Sequence, residues 1–254
     1  MQQEVSWMYD PFNVFRIRIN GQLILLLLVD RLLDLGCEII QCNTDGVVYR
    51  AKNGLKQAVS DAIKEVEALT RLEFESDEYE AFYQYAINDY FGVLKGGEIE
   101  EKGMFITKNK LGKGLAPVVI PKAVINYFVK GEPIEEFIKS DRDIRDFLMS
   151  QQVDKKFEVW HGENRVQRIN RFYASTDGAY LFKRDKDGKE VHTLMDLFDK
   201  AQNMLTKSGV TILNKFDDRP IEDRKINYRY YISEAKKIVA DFTEQQLSLF
   251  DDQL

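Results

Sequence analysis

Glu38-Ile39-Ile40-Gln41-Cys42, then Asn43-Thr44-Asp45-Gly46, then Val47-Val48-Tyr49-Arg50 is the stretch on which the fold reading turns. Two β-rich runs flank a turn that carries an Asp-Gly dipeptide, which spells a hairpin with one carboxylate at its tip. Upstream, Asn20-Gly21-Gln22 reads as the opening of a strongly apolar helix over 23–35, with Gly36 as its C′ glycine. Its near-continuous leucine surface predicts burial on more than one side. Downstream, Leu55, Val59, Ala62, Ile63, Val66 and Leu69 repeat at helical spacing, which predicts an amphipathic helix covering the hairpin.

Alternating segments follow at 79–87, 90–95 and 98–106, with Gly96-Gly97 as the turn between the last two. Helix, hairpin, helix, hairpin in this order gives an α+β fold with an antiparallel sheet and covering helices. After Pro117 and Pro121 the pattern predicts helices at 123–129, 134–138 and 144–149, then strands at 165–173 and 179–184. A helix at 194–207, an apolar run at 210–213 and a last helix at 230–242 complete it. The texture changes between Ile106 and Pro121, which places a domain boundary there. Residues 1–107 are expected to form the sheet domain, 108–243 a mostly helical domain with a small β element, and 244–254 a flexible tail.

A chain of 254 residues with 44% hydrophobic content can bury a proper core, which excludes a disordered protein and a disulfide-stapled module. The net charge of −6 excludes a polycation, so nucleic-acid binding needs a local patch. One exists: from Lys102 to Lys130 there are six lysines (Lys102, Lys108, Lys110, Lys113, Lys122, Lys130) and no acid. Interrupted by Gly103, Gly112 and Gly114, it reads either as a flexible cationic segment along a phosphate backbone or as a solvated loop. Gly112-Lys113-Gly114 lacks the spacing of a phosphate-binding P-loop. Arg165, Arg168 and Arg171 beside Phe172 and Tyr173 make a second basic and aromatic patch, or equally an exposed strand edge. Cys37, Cys42, His161 and His192 have no partners at metal-ligand spacing. The longest apolar run, 23–29, is too short to span a bilayer, and the N-terminus lacks a signal pattern. A soluble, cytoplasmic chain with no membrane partner is the expectation.

A carboxylate at a hairpin tip projects away from its own sheet, where it can hold Mg²⁺ together with substrate phosphates. The alternative is that Asp45-Gly46 is simply a good turn dipeptide. Two-metal chemistry, with ions about 3.5–4 Å apart, needs at least a second carboxylate, so Asp45 alone cannot make the site. The pairs Asp217-Asp218 and Asp251-Asp252 read as solvated charges and do not supply it. A metal-dependent nuclease needs clustered carboxylates, and no motif places them.

Trp7-Met8-Tyr9-Asp10-Pro11, Asn20-Gly21-Gln22-Leu23, Asn43-Thr44-Asp45-Gly46, Asn88-Asp89-Tyr90 and Lys102-Gly103, in this order over nearly the whole chain, resemble the C-terminal part of a phage-type family B DNA polymerase. The resemblance implies the second half of a palm followed by a thumb. It implies Asp45 as catalytic metal ligand, in the second Asp position of the family's Tyr-Gly-Asp-Thr-Asp-Ser motif. Asn43 stands where the first Asp is usual and Gly46 replaces the serine, so Asn43, Thr44 and Gly46 are implied to shape the turn. The family's Lys-x-Tyr element matches Asn88-Asp89-Tyr90 with the tyrosine kept and the lysine lost. Asn88, Tyr90, Lys102, Lys108, Lys110 and Lys113 are therefore the implied DNA contacts.

The family's other metal-binding Asp and its nucleotide-holding fingers helix would precede Met1. The resemblance thus implies two-metal Mg²⁺ chemistry, primer-template DNA and dNTP as partners, and a separate upstream polypeptide. It also implies a bacterial host cytoplasm for a phage-encoded chain. At the C-terminus, Gln246-Leu247-Ser248-Leu249-Phe250 is similar to the pentapeptide by which bacterial replication proteins bind the sliding clamp. The alternative there is the last turn of the preceding helix folding back. The expected function is a DNA-directed DNA polymerase segment for DNA replication. The other reading is a non-catalytic DNA-binding and clamp-docking remnant.

Overall fold

The structure, a computed structural model, describes residues 9–44, 46–108, 116–193 and 209–251, with the side chains of 190–193 and 243–251 outside the description. The chain is α+β with small antiparallel sheets, and it divides into two compact units, Met1–Tyr79 and Glu80–Leu254.

The first unit contains α1 (Pro11–Asp34), β1 (Glu38–Cys42), β2 (Val47–Arg50) and α2 (Lys56–Thr70). Helix α1 begins earlier than expected because Asp10-Pro11 is an N-cap followed by a proline that has no N–H to leave unpaired. The Asp10 carboxylate accepts the Asn13 N–H at 3.0 Å, so Asn20-Gly21-Gln22 lies inside the helix and does not open it. Gly36, at φ +78°, closes its far end, with the Cys37 N–H donating to the Leu32 carbonyl at 3.0 Å. Leu28 and Leu32 pack with Cys37, Val59 and Val66, and the hairpin adds Ile39, Val47 and Tyr49 to this core. Arg31 donates to Glu65 across α1 and α2 at 3.0 Å.

Burial on more than one side of α1 is not observed. Leu25, Leu28 and Leu32 are buried, whereas Phe12, Phe15, Ile19, Leu23, Leu26 and Leu33 form an exposed stripe. By length and composition α1 also suffices to cross a membrane, which the count of consecutive apolar residues missed because a few polar residues interrupt the run.

The second unit opens with β3 (Tyr79–Ala86), whose first residue closes the first unit, then β4 (Asp89–Leu94) and β5 (Ile99–Lys102), in the order β3-β4-β5. Gly96 and Gly97, at φ +127° and +86°, make the β4–β5 turn. A 3₁₀ turn at Gly103–Phe105 leads out of β5. Helices α3 (Val119–Lys130) and α4 (Ile134–Ser140) follow, then a 3₁₀ turn at Ile144–Phe147 where a helix was expected. Next come β6 (Met149–Gln152), β7 (Glu158–His161), β8 (Asn164–Val166), β9 (Ile169–Ser175), β10 (Leu181–Arg184) and β11 (Glu190–Thr193). β12 (Gly209–Ile212) and α5 (Tyr228–Asp251) end the description. The expected strand 165–173 is split between β8 and β9. β12-β9-β6 and β11-β10-β7-β8 are separate sheets, and the expected helix 194–207 lies outside the described residues.

The units separate at Tyr79/Glu80 and not near 107. The physical reason is one continuous core: Phe91 of β4 and Phe105 lie 5.0 Å apart, and both belong with Phe128 of α3 and Phe242 of α5. The backbone of α5 runs on as helix to Asp251, past the expected end at Phe242, where a flexible tail was expected. Arg224 is buried and donates to the Asp217 carboxylate and to the Arg219 carbonyl at 2.8 Å. That guanidinium holds the Asp217 carboxyl below its usual range, so Asp217 is a loop clamp and not a merely solvated charge.

Two buried polar groups invite tests. The Tyr231 hydroxyl accepts the Ala174 N–H at 2.8 Å and donates to the Phe147 carbonyl at 2.9 Å. Tyr231→Phe strands both backbone groups and is expected to cost about 1–3 kcal/mol in urea unfolding. Asp141 is pushed up to about 6, first by burial and then by its hydrogen bond to Asp146, against the Asp143 N–H that lowers it. Asp146, in turn, pairs with Lys122. A folded-state value above the unfolded one means that the folded chain holds the extra proton. Stability is therefore present below about pH 4 and is lost as pH rises from about 4 to 6. Asp141→Asn is expected to flatten that slope in denaturant melts taken across the window.

Candidate functional site

In the first unit the register Cys42↔Val47 leaves residues 43–46 as a four-residue turn between β1 and β2, at the bounds read from the sequence. Asn43 closes it twice: its N–H donates to the Gly46 carbonyl at 3.0 Å, and its Oδ1 accepts the Gly46 N–H at 2.9 Å. An aspartate there could accept the same bond, but it would place a second negative charge in the turn. Gly46 has no left-handed φ, and the nearest atom to an added Cβ is Asn43 Oδ1 at 4.0 Å, so the turn geometry does not demand glycine. Thr44 is exposed. Asp45 itself lies outside the described residues.

In the second unit the structure joins two short motifs that are separate in sequence. Tyr90 and Lys102 are cross-strand partners of β4 and β5, which brings Asn88-Asp89-Tyr90 alongside Lys102-Gly103. Gly103, at φ +60°, lies so close that an added Cβ would sit 2.1 Å from the Asn88 carbonyl oxygen and 2.2 Å from Asp89 Oδ1. Asp89 Oδ1 accepts the Met104 N–H at 2.7 Å, and Glu101 accepts the Thr107 N–H at 2.8 Å, so the chain leaving β5 is pinned at two points. Gly103 is thus a fixed close approach and not a flexible interruption of a lysine tract.

Asn88, Lys102 and Lys108 are exposed, whereas Tyr90 is only 8% exposed. Its ring lies 5.0 Å from Phe82. Burial first, and then the Glu100 carboxylate that its hydroxyl bonds, push its pKa above the ordinary phenol value. Tyr90 thus braces the strand pair that presents Asn88 and Lys102. Lys110, Lys113, Gly112 and Gly114 lie outside the described residues. Lys122 is not part of a cationic strap, because it sits in α3 and pairs with buried Asp146. The Arg165, Arg168 and Arg171 patch lacks its aromatic half, since Phe172 and Tyr173 are buried in the core. Gln246, Leu247, Leu249 and Phe250 lie on the α5 backbone, with side chains outside the description.

Among the described residues no cluster of three or more His, Cys, Asp or Glu is placed to hold a metal. Those residues therefore do not by themselves build a two-metal centre. The closure of Asn88-Asp89 onto Lys102-Gly103 was missed as a unit, because only strand register reveals that the two are neighbours. The sequence signals that could have found it were the Gly96-Gly97 turn and the equal arms on either side of it.

No family model and no curated protein matches the chain. Among solved structures it is similar to the family B DNA polymerase from the hyperthermophilic archaeon Pyrobaculum calidifontis, at 17% identity and a TM-score of 0.45, over 92% of this chain. The chain spans 30% of that polymerase's length.

Gly103→Ala is expected to open the Asn88/Gly103 contact and cost about 2–4 kcal/mol, through a left-handed backbone and a direct clash. A chemical-denaturation midpoint that does not move would show that this closure is loose.

Proposed function

We propose that this chain is a segment of a family B DNA polymerase that completes a nucleotidyl-transfer site together with an upstream polypeptide. The observation that carries the reading is the β1–β2 hairpin: a four-residue turn, tied by Asn43, in which the sequence supplies one carboxylate, Asp45. In this reading Asp45 is a Mg²⁺ ligand, and the second carboxylate comes from the upstream polypeptide. Bound Mg²⁺ supplies charge neutralisation at the reacting phosphate and at the attacking and leaving oxygens. Asn43 ties the turn without adding a second anion to it.

Primer-template DNA runs along Asn88, Lys102 and Lys108, with Lys110 and Lys113 continuing the contact, through phosphates and without sequence preference. The exposed Lys102 beside the pinned Asn88 turn supports this part of the reading. The exposed apolar stripe of α1, from Phe12 to Leu33, supports a partner polypeptide. The site of action is the cytoplasm of a bacterial host.

The decisive experiment adds the polypeptide encoded upstream and measures primer extension. Asp45→Ala is expected to lower incorporation by at least about a thousandfold. Unchanged extension refutes the catalytic role, and duplex binding with no incorporation alongside any partner leaves the non-catalytic remnant.

Docking of Gln246, Leu247, Leu249 and Phe250 to a sliding clamp belongs to the same proposal. Leu249→Ala with Phe250→Ala is expected to abolish clamp binding in surface plasmon resonance and to leave primer-template binding unchanged. Because α5 is helical there, binding of an extended peptide requires its last turns to unwind, so affinity should fall as helix-favouring substitutions are added at Ser248.

A further inference from the structure

Five dipeptides in the chain join Asn or Asp to glycine: Asn20-Gly21, Asp45-Gly46, Asn53-Gly54, Asp177-Gly178 and Asp187-Gly188. A glycine in second place lets its peptide nitrogen reach the preceding side chain, because no Cβ restricts the backbone. Attack on that side chain needs the glycine N–H free of an acceptor and the peptide free to rotate. Four of the five lack one condition or the other. Gly21 lies inside α1, where its N–H belongs to the helix ladder. The Gly46 N–H donates to Asn43 Oδ1 at 2.9 Å, and the Gly188 N–H to the Asp185 carbonyl at 3.1 Å. A Cβ added at Gly178 would clash with Ser175 Oγ and the Val210 carbonyl oxygen, so that peptide is packed in place.

Asn53-Gly54 carries neither restraint. Both residues are exposed, in a turn over residues 52–55 where the Leu55 N–H donates to the Lys52 carbonyl at 3.2 Å. Gly54 takes φ +97°, and nothing lies within 4 Å of the place a Cβ would occupy. Among the described residues neither the Gly54 N–H nor the Asn53 amide has a hydrogen-bond partner. Asn53 also offers a carboxamide, from which ammonia can leave, where the three aspartates offer a carboxylate.

We infer that Asn53 is a spontaneous deamidation site of the folded chain. The Gly54 nitrogen gives its proton to solvent and bonds to Asn53 Cγ, the Cγ–Nδ2 bond breaks, and Nδ2 leaves as ammonia with a proton taken from solvent. Water then opens the cyclic imide. Cleavage at Cγ gives aspartate, and cleavage at the main-chain carbonyl carbon gives isoaspartate. The sum is one water consumed and one ammonia released, with no change of oxidation state. The product adds a negative charge just ahead of α2, whose N-cap Leu55 makes no side-chain hydrogen bond and whose first turn holds no acid. An anion at that end of a helix meets the positive pole of its dipole. The inference is independent of the polymerase reading.

The test incubates the full native chain in mildly alkaline buffer, beside a sample unfolded in urea, and follows the peptides by mass spectrometry. In the native chain Asn53 is expected to gain the amide-to-acid mass shift while Asn20 keeps its amide. In urea both should convert, because Gly21 is no longer held in a helix. Methyl transfer by an isoaspartate-specific carboxyl methyltransferase should rise with time in the native chain and fall in Asn53→Gln. A native Asn53 that stays an amide while its unfolded counterpart converts, or a native Asn20 that converts as fast as Asn53, overturns the inference. Either result leaves the nucleotidyl-transfer reading to primer extension.

Discussion

The packing of Phe91, Phe105, Phe128 and Phe242 holds the second unit together. Each ring comes from a different element, β4, the turn after β5, α3 and α5, and the centroids lie 5.0–6.2 Å apart at tilted and edge-on angles. Burying a side chain of this size is worth roughly 1.5–3 kcal/mol, and each favourable ring pair adds about 0.5–1.5 kcal/mol. The cluster joins the start of the unit to its last helix. The β4–β5 register, and with it the meeting of Asn88 and Gly103, is fixed from behind by this core.

The first unit depends on a smaller core and on a local device. Leu28, Leu32, Val59 and Val66 seat the hairpin on the two helices, and Asn43 ties the turn at its tip through its own side chain and N–H. A neutral amide does for this backbone what a carboxylate also could, without adding a charge. The same economy recurs where Arg224 ties its own loop through carbonyls and Asp217. In both places one side chain replaces a stretch of regular structure.

Much of the fold was legible because it rests on local rules. The bounds of β1, the turn and β2 follow from alternation around an Asp-Gly dipeptide, and the β4–β5 turn follows from Gly96-Gly97. The start of α1 was misread because an internal Asn-Gly resembles a helix opening, while the operative cap, Asp10-Pro11, lies further upstream. The two units divide at Tyr79/Glu80, where residue texture gives no sign, while the change of texture near 107 does not interrupt a core that continues through Phe105 to Phe128. Lys122 leaves the lysine tract for a related reason: counting charge along the chain ignores direction, and Lys122 turns inward to Asp146.

The amino-acid sequence by itself determined the hairpin, its single acidic residue, the α+β class and the order of the motifs, because turn chemistry and periodicity act over a few neighbouring residues. Only the tertiary structure decided that Asn88-Asp89-Tyr90 meets Lys102-Gly103, that Tyr90 is a brace, and that Arg184 stands over Trp160 and Phe182. Those are cross-strand and packing relations. They depend on which residues the register and the core bring within a few ångströms, and no local pattern encodes that.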